Sequence, residues 1–584
     1  MNRKRWYLLL VVLLVGALTL VACGGGQEPT QEPVEEPVEE PVEEPVEEPT
    51  EEPMEEPTEE PTEEPVEEPT EEPMEEPTEE AEEETADDPR TVIIGMTDSI
   101  SSLDYQDAYA FHDWEIFRNT NYGLMTFEPG TAEVVPGVAV DEPEISDDGL
   151  TYTFTIGGDW AFPIDGECVP LVAEDFVRAI DRGLTLEGDV SGIVTTYVES
   201  AEAPDDETVV MHLTNPRGFF PQVVTAAAYM PVPDSPYHPM DELNPFPDQV
   251  IGIGPWMITD YSVEEQAVFE RNPCYPGEFA PNAPERVIVR YYQAATQLAL
   301  AVENGEVDIS WRILGLQEVQ RLDGIDGLAA YNSGGGGIRY LVPNHAMEPF
   351  SDVRLRQALA YLVDRDEIVD RVLAGTIDPL YSMVPPGFLG ATESFLDRYN
   401  SPDIAAAEEL LMDAGYSEDN PLTFDLWYPP ERYGAHTAEI FQVLEEQFEA
   451  TPLIEVELQA QEWGTYVGAI TGGEYPIGYL GWFFDYPDSS NYLDPFAESN
   501  FSPTLGVSYA SEEMDNLLHA AGESTDEAER EELYIQAQEL YAEDAVTIPL
   551  TFEPEYAVYN EDRIEDMVIG VALFFQYELI ELAE

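Results

Sequence analysis

Apolar and polar positions divide the chain into three stretches with different patterns. Residues 6–22 are largely apolar and follow a short basic segment at 3–5. Residues 27–88 repeat Glu-Glu-Pro-x and show no apolar periodicity. From residue 89 onward, runs with a period of two alternate with runs of helical period, which predicts interleaved strands and helices. We therefore expect one folded region, 89–584, preceded by two segments that add nothing to its core.

Within the folded region, several runs are typical of strands and of capped helices. The predicted strands are residues 91–94, 150–156, 208–213, 267–271, 286–291, 423–427, 454–458, 547–550 and 556–559. Predicted helices start near 173, 352, 364 and 403, and two more carry 514–521 and 533–541. Asp352 and Asp364 are expected N-caps, and Gly375 and Gly415 are expected helix ends. Because helices and strands alternate, the predicted class is α/β with mixed sheets rather than a β-sandwich.

The charge of the chain excludes some partners. The chain has 122 acidic and 22 basic residues, for a formal net charge of −100. Residues 27–88 hold 31 of the acids and residues 3–5 hold three of the basic residues, so the folded region keeps a charge near −72. Such a surface repels nucleic acid and anionic lipid, and we expect no nucleic-acid partner. The acid excess also suggests a salty habitat, with compositional drift as the alternative.

The N-terminal stretch is typical of an export signal. A basic segment precedes an apolar run, and small residues adjoin a cysteine in Leu20-Val21-Ala22-Cys23-Gly24. The run is shorter than the roughly 20 apolar residues of a membrane-spanning helix. This motif resembles a bacterial lipobox, which implies cleavage after residue 22 and a lipid on Cys23; an uncleaved signal anchor is the alternative. In both cases the remaining chain is expected outside the cytoplasm, at a membrane face.

The Glu/Pro-rich segment 23–88 is expected to be a disordered tether. Proline at every fourth position removes backbone donors, and paired glutamates repel each other, so an extended polyproline conformation is predicted. The tether is either a spacer that lifts the folded region off the membrane or a repeat expansion without selected length.

Cysteine content bears on the folded region as well. Beyond Cys23 the chain has Cys168 and Cys274. In an exported protein an even pair permits a disulfide. Whether the two cysteines are bonded or free stays open. A bond requires Cα atoms within about 7 Å of each other, and the sequence does not give that distance.

A series of motifs resembles the oligopeptide- and dipeptide-type extracellular solute-binding proteins of ATP-binding-cassette (ABC) importers. The motifs that carry this resemblance are Ser146-Asp147-Asp148-Gly149-Leu150-Thr151-Tyr152, Ala173-Glu174-Asp175-Phe176, Gly252-Ile253-Gly254-Pro255-Trp256, Arg271-Asn272-Pro273-Cys274-Tyr275, Asn304-Gly305-Glu306-Val307-Asp308, Val353-Arg354-Leu355-Arg356-Gln357-Ala358-Leu359 and Gly481-Trp482-Phe483-Phe484-Asp485-Tyr486. They arrive in the family's order over about residues 91–560, so a chance match is excluded.

The resemblance implies a periplasmic-binding-protein-like fold of two lobes with mixed sheets, a two-segment hinge and a ligand cleft between the lobes. The first lobe would comprise residues 89–340 with a return at 551–584, and the second lobe residues 341–550. The implied function is capture of peptides by cleft closure and delivery to a permease and its ATPase. No cofactor and no metal is implied, and we expect a monomer that meets the membrane only through its lipid.

Five residues are candidates for the ligand site. In relatives, an aspartate in the context of Asp485 holds the α-ammonium group of the peptide, and an unpaired buried cation would cost several kcal/mol. The structural alternative is that Asp485 caps the turn before Pro487. The aromatic candidates for lining an apolar pocket are Trp427, Trp482, Phe484 and Tyr340, with core packing as the alternative for each. Residues 334–337, all glycine, are expected to form a flexible loop before the first crossing.

Enzyme motifs are missing from the sequence. It contains no His-Glu-x-x-His, Gly-x-Ser-x-Gly or Cys-x-x-Cys, and we expect a receptor rather than an enzyme. Other ligands of the same receptor class are an oligosaccharide, a metal chelate, an opine or haem. A surface sensor or adhesin that reuses the fold is a further alternative, and an extracellular hydrolase a third without a supporting motif.

Overall fold

The fold is described from a computed structural model, which covers residues 90–312, 314–430, 432–434, 436–570 and 574–583. The predicted signal, the lipidation site Cys23 and the tether lie outside these residues. No helix in the described ranges has the length and apolar content that a membrane crossing requires.

Strands and helices alternate along the described chain. The strands are β1 (Thr91–Met96), β2 (Met125–Phe127), β3 (Val134–Pro136), β4 (Glu144–Ile145), β5 (Thr151–Thr155), β6 (Ala161–Ile164), β7 (Glu167–Pro170), β8 (Val198–Asp205), β9 (Thr208–Leu213), β10 (Trp256–Ser262), β11 (Gln266–Arg271), β12 (Arg286–Tyr291), β13 (Ile309–Trp311), β14 (Leu328–Pro343), β15 (Asp378–Pro379), β16 (Leu422–Tyr428), β17 (Ile454–Ala460), β18 (Ile477–Trp482), β19 (Ile548–Asn560), β20 (Ile564–Asp566) and β21 (Glu581–Leu582). The helices are α1 (Phe111–Thr120), α2 (Ala173–Thr185), α3 (Ser191–Thr195), α4 (Phe220–Val223), α5 (Ala295–Glu303), α6 (Leu316–Asp323), α7 (Val353–Leu362), α8 (Arg365–Arg371), α9 (Ser394–Tyr399), α10 (Ile404–Ala414), α11 (Thr437–Phe448), α12 (Trp463–Thr471), α13 (Ser490–Ala497), α14 (Glu512–Glu523) and α15 (Glu527–Asp544).

A sheet of nine strands organises the described region. Its order is β10-β11-β12-β1-β13-β19-β14-β18, with β15 beside β19. Strand β1 pairs in parallel with β12 and β13, whereas β19 runs antiparallel to β13 and β14. Parallel and antiparallel pairs thus share one sheet with helices between them, and the predicted α/β class with mixed sheets is confirmed.

Buried side chains form separate cores at the two ends of this sheet. Apart from Phe127, the largest core draws on residues from Ile338 to Leu550. The other cores lie mainly before residue 329 and after residue 556. The core changes between Leu328 and Ile338 along β14, and between Leu550 and Ala557 along β19. The two-lobe fold is confirmed, and the lobe boundaries at 340 and 550 stay a prediction.

Three of the four predicted helix-end signals are confirmed. The Asp352 side chain accepts a hydrogen bond from Arg354 N at 3.0 Å, and that of Asp364 accepts one from Glu367 N at 3.0 Å. Gly415 ends α10 in a left-handed conformation, with φ of 102°. Gly375 does not end a helix, because α8 already stops at Arg371.

Residues 334–337 do not form a loop, which corrects the expectation. They belong to β14, where an irregularity lies between Asn332 and Gly336. A Cβ on Gly336 would approach the Glu553 carbonyl oxygen to 1.6 Å, so only glycine lets β19 pass this close. The predicted strands at 547–550 and 556–559 likewise belong to one strand, β19.

Candidate ligand cleft

A cavity with a volume of about 900 Å³ lies between the two lobes. Its first-lobe wall contains residues 130–134 with Gly218, Pro221 and Gln222, and its second-lobe wall contains residues 386–390 with Thr525, Glu527, Arg530 and Glu531. Phe552 of β19 and residues 334–336 of β14 close it where the strands cross. This volume is in the range of small-molecule sites.

Asp485 lies beside this cavity, in the segment between β18 and α13. Its neighbours Phe484 and Pro487 line the cavity. Asn491, on the first turn of α13, accepts a hydrogen bond from Asp485 N at 3.0 Å and donates one from Nδ2 to Asp485 Oδ2 at 3.4 Å. The same Asn491 oxygen accepts a second hydrogen bond, from the indole N–H of Trp482 at 3.2 Å. One amide therefore holds both the backbone and the carboxylate of Asp485.

The remaining carboxylate contact comes from the first lobe. Tyr109 Oη donates to Asp485 Oδ1 at 2.8 Å, across 376 residues of sequence. Within the described residues no arginine or histidine forms an ion pair with Asp485. Burial raises the pKa of Asp485, and the hydrogen bonds from Tyr109 and Asn491 offset part of this rise. A carboxylate in this state can bind an ammonium group, since a cation would remove the cost of its burial.

The four aromatic candidates are placed differently. Phe484 is 3% exposed and lines the cavity, where its ring meets Phe388 with centroids 5.5 Å apart. Trp482 is half-buried, and its ring packs edge-on against Phe496 at 5.4 Å. Trp427 stacks on Tyr475 at 4.3 Å and does not line the cavity.

Tyr340 is a core residue, which corrects its assignment to the pocket. Its side chain is fully buried and packs against Phe496 at 5.1 Å. It alternates along β14 with Arg339, and Arg339 faces Glu553 with a distance of 3.0 Å between Nη2 and the carboxylate oxygen. Because successive side chains of a strand point to opposite faces, Tyr340 points into the second-lobe core.

Tyr486, which follows Asp485, joins the lobes through two contacts, and a backbone hydrogen bond adds a third. The Tyr486 ring stacks on Phe219 of the first lobe, with centroids 5.5 Å apart and planes at 4°. Its hydroxyl lies 2.9 Å from that of Tyr197. Gly218 N donates to Gly522 O at 2.8 Å. The residue that follows the candidate ligand carboxylate is thus buried in the core of the opposite lobe.

Sequence reasoning missed the charged residues around the strand crossing. Asp98 and Arg312, which follow β1 and β13, form an ion pair at 3.0 Å. Arg339 pairs with Glu553. Burial raises the pKa of Glu555, and the charges of Arg312 and Arg339 offset part of this rise. The available signal was that Arg339 interrupts the apolar run 338–342 of β14, and that Asp98 and Arg312 follow strands whose carboxyl ends meet at one edge.

Cys168 and Cys274 are joined by a disulfide bond in the structure. The bond links β7 to the loop after β11, both in the predicted first lobe. It therefore connects the small β6–β7 hairpin to the large sheet, away from the cavity lining.

The combination of two lobes on a shared mixed sheet with a cleft between them defines a class of binding proteins. Residues 133–503 match the model of bacterial extracellular solute-binding proteins, family 5 Middle, and the chain belongs to this family. The resemblance read from the sequence is thereby confirmed. The family consists of extracytoplasmic solute receptors rather than enzymes. Residues 48–83 match a second model, the PT disordered repeat.

Individual relatives match most of the folded region. The chain is 28% identical over 457 residues to the probable deoxycholate-binding periplasmic protein YgiS of Escherichia coli, covering 73% of this chain and 81% of that protein. It is 26% identical over 473 residues to the oligopeptide-binding protein OppA of Bacillus subtilis, covering 76% and 84%. The solved structure of Helicobacter pylori DppA in complex with the peptide STSA is 23% identical, with a TM-score of 0.70 and coverage of 85% and 98%.

Proposed function

We propose that this protein is the extracytoplasmic receptor of an ABC importer for peptides, and that it captures a peptide by closing its two lobes. The observation that carries the proposal is Asp485, a half-buried carboxylate between the lobes that only neutral groups of the described chain contact. The α-ammonium group of a peptide would supply the cation. Relatives named for oligopeptide and dipeptide binding support this ligand class.

Lobe closure follows from the position of Asp485 between the lobes. A ligand stabilises the closed state by the difference between its affinities for the closed and the open state. Asp485 contacts Tyr109 of the first lobe, and Tyr486 is buried against Tyr197 and Phe219. A ligand on Asp485 would therefore lie where both lobes meet.

Delivery and anchoring are part of the same proposal. The closed form would pass its peptide to a permease and ATPase, as a monomer held at the outer face of the cytoplasmic membrane by a lipid on Cys23. The lobes would be 89–340 with 551–584, and 341–550. The lipobox-like motif at 20–24 and the membership in an extracytoplasmic family support this arrangement.

The test is thermal unfolding of the chain from residue 23, with Cys23→Ser, in high salt. The added ligands are short peptides, their N-acetylated forms, oligosaccharides and deoxycholate. A ligand at about 100 times its Kd stabilises the folded state by about 2.7 kcal/mol. We expect stabilisation by free peptides, and its loss on N-acetylation and in Asp485→Asn.

The exposed Asp326→Asn serves as the charge-matched control and should keep peptide binding. Equal stabilisation by free and acetylated peptides would keep the peptide class and remove the role of Asp485. Stabilisation by oligosaccharide or deoxycholate alone would replace the peptide proposal with that ligand.

A further inference from the structure

The interlobe cavity combines an aromatic floor with an acidic rim. Phe388 lies at its centre, with ring centroids 5.5 Å from Phe484 and 4.9 Å from Tyr492. The carboxylates that line it are Glu133, Glu142, Asp488, Glu527 and Glu531, and the one basic side chain in its described lining is Arg530. Aromatic faces and carboxylates are the two surfaces that attract an alkylammonium or guanidinium group.

The cavity arginine is already neutralised. Arg530 forms an ion pair with Asp488, and Tyr534 Oη donates to the same carboxylate at 3.0 Å. Arg530 and Asp488 are both buried, with side chains 6% and 3% exposed. In contrast, no ion pair within the described chain involves Glu133, Glu142, Glu527 or Glu531. The part of the cavity lining that the structure describes therefore presents uncompensated negative charge and no free cation.

The strand crossing near Asp485 shows the same imbalance. Arg312 is paired with Asp98 and Arg339 with Glu553, each at 3.0 Å. Glu555 has no ion-pair partner among the described residues, and burial raises its pKa. At the crossing, each of these two arginines is matched by one carboxylate, and within the described ranges Glu555 remains without an arginine of its own.

We propose that the cleft selects cationic peptides, with a lysine or arginine side chain of the ligand seated in the cavity of about 900 Å³. This inference rests on the proposed function, because it assumes a peptide whose α-ammonium group binds Asp485. A basic side chain offsets the uncompensated carboxylates, and its apolar stem packs on Phe388 and Phe484. An acidic side chain meets no free cation there and is repelled.

The experiment must distinguish a charge preference set by the cavity lining from the general attraction of cations to a chain with a formal net charge of −100. Tripeptides with lysine, norleucine or glutamate at one position are titrated calorimetrically, norleucine being the uncharged match for the lysine stem. The titrations are made at about 0.15 M and about 1 M NaCl, where the Debye length falls from about 8 to about 3 Å. At the higher salt we expect lysine peptides to bind about tenfold more tightly than norleucine peptides, and glutamate peptides more weakly still.

Two variants locate the effect. Glu527→Gln with Glu531→Gln should reduce the preference for lysine over norleucine severalfold, whereas Glu539→Gln, on the same helix α15 but outside the cavity lining, should leave it unchanged. A preference that disappears in high salt, or that survives both substitutions at the rim, would overturn the inference.

The remaining outcomes separate this inference from the proposed function. Tripeptides that all bind with one Kd would overturn the charge selection and leave peptide binding intact. Binding of the polyamine spermidine without binding of any tripeptide would support the cation site and overturn the peptide receptor. Absence of binding by all of these probes would overturn both.

Discussion

Two aspartates, the fully buried Asp104 of the first lobe and the half-buried Asp485 between the lobes, have opposite surroundings. Asp104 is fully buried, and its carboxylate accepts hydrogen bonds from both terminal nitrogens of Arg182, at 3.0 and 2.7 Å. The backbone N–H groups of Gln106 and Asn244 also donate hydrogen bonds to this carboxylate, at 3.0 and 2.8 Å. The carboxylate of Asp485 instead accepts hydrogen bonds from one tyrosine hydroxyl, that of Tyr109, and one side-chain amide, that of Asn491.

The pKa values of the two carboxyls follow this difference. Burial alone would raise the pKa of Asp104, but the Arg182 guanidinium and the backbone donors hold it below its ordinary value. Burial raises the pKa of Asp485, because its neutral partners do not compensate for the lost water. A carboxylate that its own chain neutralises stabilises the fold, whereas one left with neutral partners is available for a cation from outside.

The largest expected effect is on stability, at Asp104. Asp104→Asn keeps the shape of the side chain but leaves Arg182 buried without a counter-ion, which should lower the free energy of unfolding by about 3–5 kcal/mol. Urea unfolding measures this change. Asp326→Asn, an exposed match, should change stability by less than about 0.5 kcal/mol. Equal effects of the two substitutions would contradict a structural role for the Asp104–Arg182 pair.

The second prediction tests a buried first-lobe carboxyl that lacks an ion pair with arginine. Burial raises the pKa of Glu115 to about 7, despite hydrogen bonds from Tyr577 at 2.7 Å and Trp311 at 2.8 Å. A raised pKa means that the native state holds the proton at higher pH than the unfolded chain does. The contribution of Glu115 to stability is therefore complete at low pH. As pH rises from about 4.5 to above 7, the free energy of unfolding falls by roughly 3 kcal/mol because of this one group.

Glu115→Gln should remove this pH dependence. The free energy of unfolding of the wild-type protein minus that of the variant should fall between about pH 5 and pH 8. His112, whose pKa burial lowers to about 4, is present in both proteins, so its titration largely cancels in the difference. A difference that is flat across this range would show that Glu115 is ionised in the fold at all of these pH values.

The third prediction concerns the contact that joins Asp485 to the opposite lobe. Tyr486→Phe removes the hydroxyl that lies 2.9 Å from Tyr197 Oη and keeps the stacking on Phe219. Loss of one such hydrogen bond should weaken the contact between the lobes by about 1 kcal/mol. Fluorescence energy transfer between labels on the two lobes should then report a larger open fraction.

Tyr399→Phe is the matched control for this measurement. It removes a hydrogen bond of 2.6 Å to the Ala542 carbonyl, and both residues lie in the second lobe. It should lower stability without changing the distance between the lobes. Equal opening in both variants would mean that the Tyr486 hydroxyl has no particular role in closure.

The smallest expected effect is on the stability of Asp485→Asn. Because the substitution removes a half-buried charge that has only neutral partners, the free energy of unfolding at about pH 8 should change by less than about 1 kcal/mol, toward greater stability. Chemical unfolding without ligand measures it. A loss as large as that of Asp104→Asn would place Asp485 among the structural carboxylates and remove the contrast between the two sites.

Local patterns predicted most of the secondary structure. The strands at 208–213 and 286–291 agree with β9 and β12 to the residue, and Asp352, Asp364 and Gly415 act at helix ends as expected. These features depend on side-chain alternation and on capping within a few residues. The prediction of a loop at 334–337 is wrong, because Gly336 is required by the close approach of β19, more than 200 residues away.

The sequence by itself determined the α/β class, the family, most element positions and Asp485 as the ligand candidate, because periodicity, caps and ordered motifs are all local. Only the tertiary structure decided that Tyr340 is buried in a core, that Tyr109 reaches Asp485 and that each arginine of the cleft already has a carboxylate partner. These properties depend on which distant side chains meet when the lobes assemble. Charge compensation is a property of that assembly, and composition alone does not show which carboxylates are left without a cation.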